Sequence, residues 1–88
     1  MRVLLPGNES SRKIELLISL TSMNSKSMLK ALQLHLVDGF DEEKAVICAQ
    51  VQQSNFNRDL SKLNSVACVV EKIKELDWKK FKQENLQQ

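Results

Sequence analysis

The chain has little of what a β-sheet protein needs. Its 88 residues include two glycines, one proline and no tyrosine, so turn and strand vocabulary is scarce. No apolar run approaches the roughly 18–20 residues that span a bilayer. Arg2 precedes Val3-Leu4-Leu5, but Pro6-Gly7 cuts that run well short of a signal-peptide core. His35 is the only histidine, and Cys48 and Cys68 lack C-x-x-C spacing. No Gly-rich phosphate loop, Cys-His set or Ser-His-Asp set is present that a small helical domain could organise. The expectation is therefore no enzyme, no cofactor, no metal site and no membrane span. The two cysteines read as small apolar residues kept reduced in the cytosol, with a redox or metal role as the alternative.

What is present favours helix. Leu, Lys, Glu, Gln, Ala and Met dominate, and 42% apolar with 27% charged residues suits a folded chain. A chain this short supports one domain, here residues 1–88, and a core so small that a subunit interface would add useful stability. The fold class is all-α, with four to five helices and a helix-turn-helix core.

Charge is unevenly spread. Residues 1–37 carry five bases against two acids, +3, while residues 38–44 come to −3 through Asp38, Asp41, Glu42, Glu43 and Lys44. Residues 54–82 hold seven bases against four acids, again +3. The basic C-terminal half fits an anionic partner, although a solvated helix face has a similar composition.

Asn8 is placed to cap a first helix over about residues 9–22, with Ile14, Leu17, Ile18 and Thr21 at helical spacing. Asn24 or Ser25 starts a second helix carrying Met28, Leu29, Leu32 and Leu36, which Gly39 closes. Asp41 caps a third, with Glu42 and Glu43 at the positive end of its dipole and a narrow stripe of Ala45, Val46 and Ala49. The acidic cluster lacks calcium-loop spacing, and capping explains it better. Val51 ends this helix, Gln52-Gln53 connect, and Ser54 caps the next. A short helix, a tight turn and a longer capped helix make a helix-turn-helix over about residues 41–66.

In the fourth helix, expected to reach about residue 82 before a frayed Gln-rich tail from Gln83, Phe56, Leu60, Leu63 and Ala67 share a core-facing sector. Ser54, Arg58, Ser61, Lys62 and Ser65 project oppositely, flanked by Asn55 and Asn57. Arg and Lys reach phosphates or guanine edges, Asn pairs with adenine, and Ser permits close backbone approach. The candidate DNA-binding residues are Ser54, Asn55, Asn57, Arg58, Ser61 and Lys62; a merely solvated face would also be polar.

Val66, Val69, Val70, Ile73 and Leu76 form a second stripe, rotated about a quarter turn from the first. Either the helix bends near Asn64-Ser65 or its distal half serves another surface. Val70, Ile73 and Leu76 are the candidate oligomer contact. Trp78 and Phe81, set among Lys79, Lys80 and Lys82, either pack on the first helix or take part in self-association.

Leu4-Leu5-Pro6-Gly7, the Leu16-Leu17-Ile18 segment, the break with Ser22, Met23 and Ser25, Leu36-Val37-Asp38-Gly39, and Phe56, Leu60 and Leu63 occur in an order that resembles the PapB family. These are regulators of fimbrial adhesin operons in enteric bacteria, and the resemblance runs from about Leu4 to Ile73. It implies a cytoplasmic, nucleoid-associated transcription regulator that binds repeated A·T-rich promoter sites in double-stranded DNA as a dimer or larger oligomer. Two departures stand out. Relatives open the third helix with serine and a basic pair, where this chain has Asp41, Glu42 and Glu43, and a cysteine common in that helix falls at Val46. Arg58 and Lys62 keep the next helix basic. The alternative is a small helical protein-interaction module that modulates another regulator without binding DNA, using Val66 to Leu76.

Overall fold

The computed structural model describes the backbone of residues 3–86 and the side chains of residues 3–82. Among them are four helices and no strand: α1 (Ser11–Ser19), α2 (Lys26–Leu36), α3 (Glu42–Ala49) and α4 (Gln53–Leu86).

Side-chain caps set the first three starts. Ser10 accepts from the Lys13 amide, Ser25 from Met28 and Asp41 from Lys44, each cap worth about 1 kcal/mol. Ser10 rather than Asn8 caps α1, because Asn8 is spent in the turn, its amide donating to the Leu5 carbonyl. The helix also ends earlier than expected. The Thr21 amide and hydroxyl both donate to the Ile18 carbonyl and close the chain there.

The N-terminal segment finishes the C-terminus of α2. The last carbonyls of a helix have no partner within it, and here the Gly7 and Glu9 amides donate to those of His35 and Leu36. Gly39, at φ +81, lets the Phe40 amide turn back to the Leu34 carbonyl. Gly7, at φ +75, lies so close to Gly39 that a Cβ on it would sit 3.2 Å from the Gly39 Cα. Both glycines therefore serve one contact between two turns.

Helix α3 ends at Ala49, two residues before the expected Val51. Gln50 adopts the left-handed conformation at φ 59, and the Gln50 and Val51 amides return to the Ile47 and Val46 carbonyls. Helix α4 begins at Gln53, with the Phe56 amide on the Gln52 carbonyl, so Ser54 is not its cap but lies in its first turn.

The core collects Ile14, Leu17 and Ile18 from α1, Met28, Ala31, Leu32 and Leu36 from α2, Val46 and Ala49 from α3, and Phe56, Leu60, Leu63 and Ala67 from α4. Leu4 joins them from the N-terminal segment. Each fully buried large side chain contributes about 1.5–3 kcal/mol. His35 is buried with its Nδ1 2.7 Å from the Phe40 carbonyl and its ring edge-on to Phe56 at 5.7 Å. Cys68 is half-buried and Cys48 exposed, both unbridged.

Helix α4 is continuous through Asn64-Ser65. Its 34 residues make a rod about 51 Å long at 1.5 Å per residue, close to the 55 Å longest dimension of the molecule. It passes residue 82 and remains helical to Leu86, where a frayed tail was expected; Gln87 and Gln88 lie outside the described residues.

Candidate nucleic-acid interface

The first four turns of α4 carry two faces fixed by one another. Phe56, Leu60, Leu63 and Ala67 are all buried, and they lock the helix in azimuth. Ser54, Arg58, Ser61, Lys62 and Ser65 then fall within a sector of about 100° on the far side, and all five are exposed. Asn57 is exposed at one flank. Asn55, at the other, is half-buried and its amide donates to Gln52 Oε1 at 3.3 Å. Of the six candidates, five are thus exposed and Asn55 is half-buried.

Local pairing shapes the charges. Arg58 Nε lies 3.3 Å from Asp59 Oδ1, with the guanidinium side largely exposed and the carboxylate nearly covered. Asp59 therefore orients Arg58 more than it competes for it, since an exposed pair of this kind is worth little by itself. The Gln53 amide donates to Asn57 Oδ1 at 3.0 Å, and the Ser65 hydroxyl to the Ser61 carbonyl at 3.1 Å. The acidic start of α3 is a separate feature. Asp41 is used as a cap, and Lys44 stands 4.8 Å over the Phe40 ring.

A residue whose role the sequence reading missed is Asn64. It is buried, its Oδ1 accepts from the Val3 and Leu4 amides at 3.0 Å each, and its Nδ2 donates to the Leu60 carbonyl. A buried amide so fully used holds the N-terminal segment on the back of the polar face. A second clip is Glu9, which takes the Lys13 ammonium at 2.8 Å and the Leu5 amide at 3.0 Å. Burial works to raise its pKa, but the hydrogen bonds from Lys13 and Leu5 and the Lys13 charge outweigh it. The carboxyl stays below its ordinary value. Asn64 carried no sequence signal, because it acts through distant backbone amides, whereas the i,i+4 spacing of Glu9 and Lys13 is a signal the sequence does offer.

Beyond Ala67 the helix changes character. Val70 is half-buried against the core, while Val69, Ile73, Leu76, Trp78 and Phe81 are exposed. Trp78 and Phe81 do not pack on α1; their rings stack on each other at 5.6 Å. No helix among the described residues is long and apolar enough to cross a membrane.

The chain matches the PapB family model, described as adhesin biosynthesis transcription regulatory protein, over residues 1–76. Among solved structures it is similar to the crystal structure of E. coli FocB, with a TM-score of 0.77, 23% sequence identity and 83% of each chain covered. At that identity the likeness is one of fold. No curated protein matches the chain.

Proposed function

Since the chain belongs to the PapB family of adhesin biosynthesis transcription regulatory proteins, we propose that it acts by binding duplex DNA through the first turns of α4. Such regulators are not enzymes. Helix α3, the turn at Gln50–Gln52 and the start of α4 form the helix-turn-helix of this reading, with α4 laid in the major groove. Arg58 and Lys62 take phosphates, Asn57 and the free side of Asn55 reach base edges, and Ser54 and Ser61 allow close approach. The observation that carries it is the rigid outward sector of exposed Ser54, Arg58, Ser61 and Lys62, set directly opposite a buried apolar sector. Asp41, Glu42 and Glu43 repel phosphates, so contacts at the start of α3 contribute less here than a basic helix start would. Repeated A·T-rich promoter sites are the targets that the family resemblance implies, and action there puts the protein on the nucleoid in the cytoplasm.

Self-association completes the reading. One helix-turn-helix presents one recognition helix, whereas a dimer reads half-sites about 34 Å apart. Exposed Ile73 and Leu76, with half-buried Val70, supply an apolar contact for a second copy. Titration of the protein on duplex DNA at increasing salt is the test. The logarithm of affinity should fall linearly, and the double variant Arg58→Ala with Lys62→Ala should lower that slope by about 0.9 for each phosphate no longer neutralised. Binding and slope unchanged in the double variant would show that this face is only solvated. A second reading is favoured by the apolar stripe itself: a helical module that modulates another regulator without touching DNA, for which the titration would show no salt-dependent DNA binding.

A further inference from the structure

Carboxamide side chains crowd the start of α4, and they are paired: Asn55 with Gln52 at 3.3 Å and Gln53 with Asn57 at 3.0 Å. The two pairs differ in what they leave over. Asn55 is half-buried and gives a hydrogen to Gln52, whereas Gln53 and Asn57 are both exposed. Gln53 and Asn57 stand at i and i+4, so their side chains lie beside one another on one flank of the helix. Gln53 Nε2 donates and Asn57 Oδ1 accepts. A carboxamide oxygen has two lone pairs and its nitrogen two hydrogens. The bond therefore leaves Asn57 a lone pair on Oδ1 and the donors of Nδ2, and it fixes which end of the amide is which.

We propose that Gln53 and Asn57 form one adenine-reading unit, in which Asn57 makes the two base contacts and Gln53 is the positioning residue that holds its carboxamide. The proposal rests on the DNA binding inferred above and names the base read at this point of α4. A recognition helix meets base edges with its N-terminal residues, which sets Gln53 and Asn57, in the first two turns of α4, against those edges. In the major groove adenine offers an acceptor at N7 beside a donor at N6. Asn57 complements it, with Nδ2 donating to N7 and Oδ1 accepting from N6. The other bases fit less well. Guanine presents two acceptors, so its O6 faces Asn57 Oδ1, and turning the Asn57 amide over alone breaks the Gln53 bond. Thymine offers one acceptor beside a methyl group and cytosine one donor, so each uses only half of the amide. An unpaired asparagine would also have more rotational freedom to lose on binding; the Gln53 bond removes part of that loss in advance.

Selection from a random duplex library, run with the wild-type chain and with Asn57→Ala, finds the position that is read. The wild-type chain should select adenine at one position in each half-site, which the variant leaves unconstrained. The contact is then measured on the selected duplex with 7-deazaadenine at that position, which lacks the N7 acceptor and keeps its base pairing and minor-groove edge. That change, or guanine for adenine, should weaken wild-type binding by about tenfold, while Asn57→Ala binds all three duplexes alike. In Gln53→Ala, and in the isosteric Gln53→Glu, which has no hydrogen to donate, the adenine-to-guanine preference should fall towards one. A general loss of affinity or stability cancels from that ratio. A preference unchanged in both Gln53 variants overturns the unit. So does a wild-type chain that binds 7-deazaadenine as tightly as adenine, or an Asn57→Ala chain that selects the wild-type site; both leave phosphate binding by Arg58 and Lys62 standing. A wild-type chain that retains no duplex at all removes both.

Discussion

Two stretches of one helix meet opposite fates. From Phe56 to Ala67, α4 buries four apolar side chains and turns a polar face outward; from Lys72 to Lys82 every side chain is exposed. The helical backbone is the same in both, and apolar residues recur in both. What differs is the presence of a neighbour. The proximal half is held in phase by α1, α2 and α3, which gives its outer residues fixed directions. The distal half keeps its apolar side chains in water, which a helix does at a cost unless another surface covers them. A fixed face suits recognition, and an uncovered one suits assembly.

The largest test of this contrast compares two aromatic truncations. Phe56→Ala should cost about 3–5 kcal/mol in urea or thermal denaturation, because the ring is fully buried and leaves a cavity. Trp78→Ala in dilute monomer should shift stability by less than about 0.5 kcal/mol, as surface substitutions do. Equal effects would erase the distinction between the halves. Asn64→Ala comes next, at about 1–3 kcal/mol, since it strands the Val3 and Leu4 amides that its carbonyl oxygen satisfies. Hydrogen exchange should show those two amides unprotected in this variant while the distal helix exchanges as before.

Acid sharpens the comparison further, because it releases the Glu9 clip on the proximal side. The folded pKa of Glu9 is depressed. Its contribution is therefore present above the unfolded carboxyl value and is lost as pH falls through the lower folded one. Stability measured downward from neutral pH should decline in that window, and Glu9→Gln should flatten that part of the curve; a curve unchanged by the substitution would discount the clip. A small gain is expected at the turn before α4. Gln50 holds a left-handed φ of 59 without being glycine, so Gln50→Gly should raise stability by about 0.5–1 kcal/mol. A drop in stability on that substitution would mean that the Gln50 side chain contributes more than its backbone strain removes.

Much of the helical layout is legible in the sequence because periodicity records which side of each helix is buried. Ile14, Leu17 and Ile18, then Phe56, Leu60, Leu63 and Ala67, fall where their spacing puts them. Helix ends are less legible: Asn8, Ser10 and Ser54 are all competent caps by type. Geometry chose Ser10, used Asn8 in a turn, and left Ser54 inside α4. The outward position of Arg58 and Lys62 follows from phase, but their pairing environment does not; Asp59 is adjacent in sequence, and only side-chain rotation brings it to Arg58.

The sequence by itself determined the helical class, the buried face of each helix, and the polar sector that starts α4, because each is a matter of spacing along a regular backbone. Tertiary structure decided everything that depends on where one element stops against another. Asn64 became a staple because residues about sixty positions earlier lie across it, a relation no local pattern encodes. Trp78 and Phe81 share the azimuth of Leu60 and Leu63, and that too can be read from the chain. Whether such a face is core or surface is not a property of its own helix. It was settled by the neighbours, since α1, α2 and α3 pack on the first half of the rod and the described side chains from Lys72 to Lys82 are all exposed.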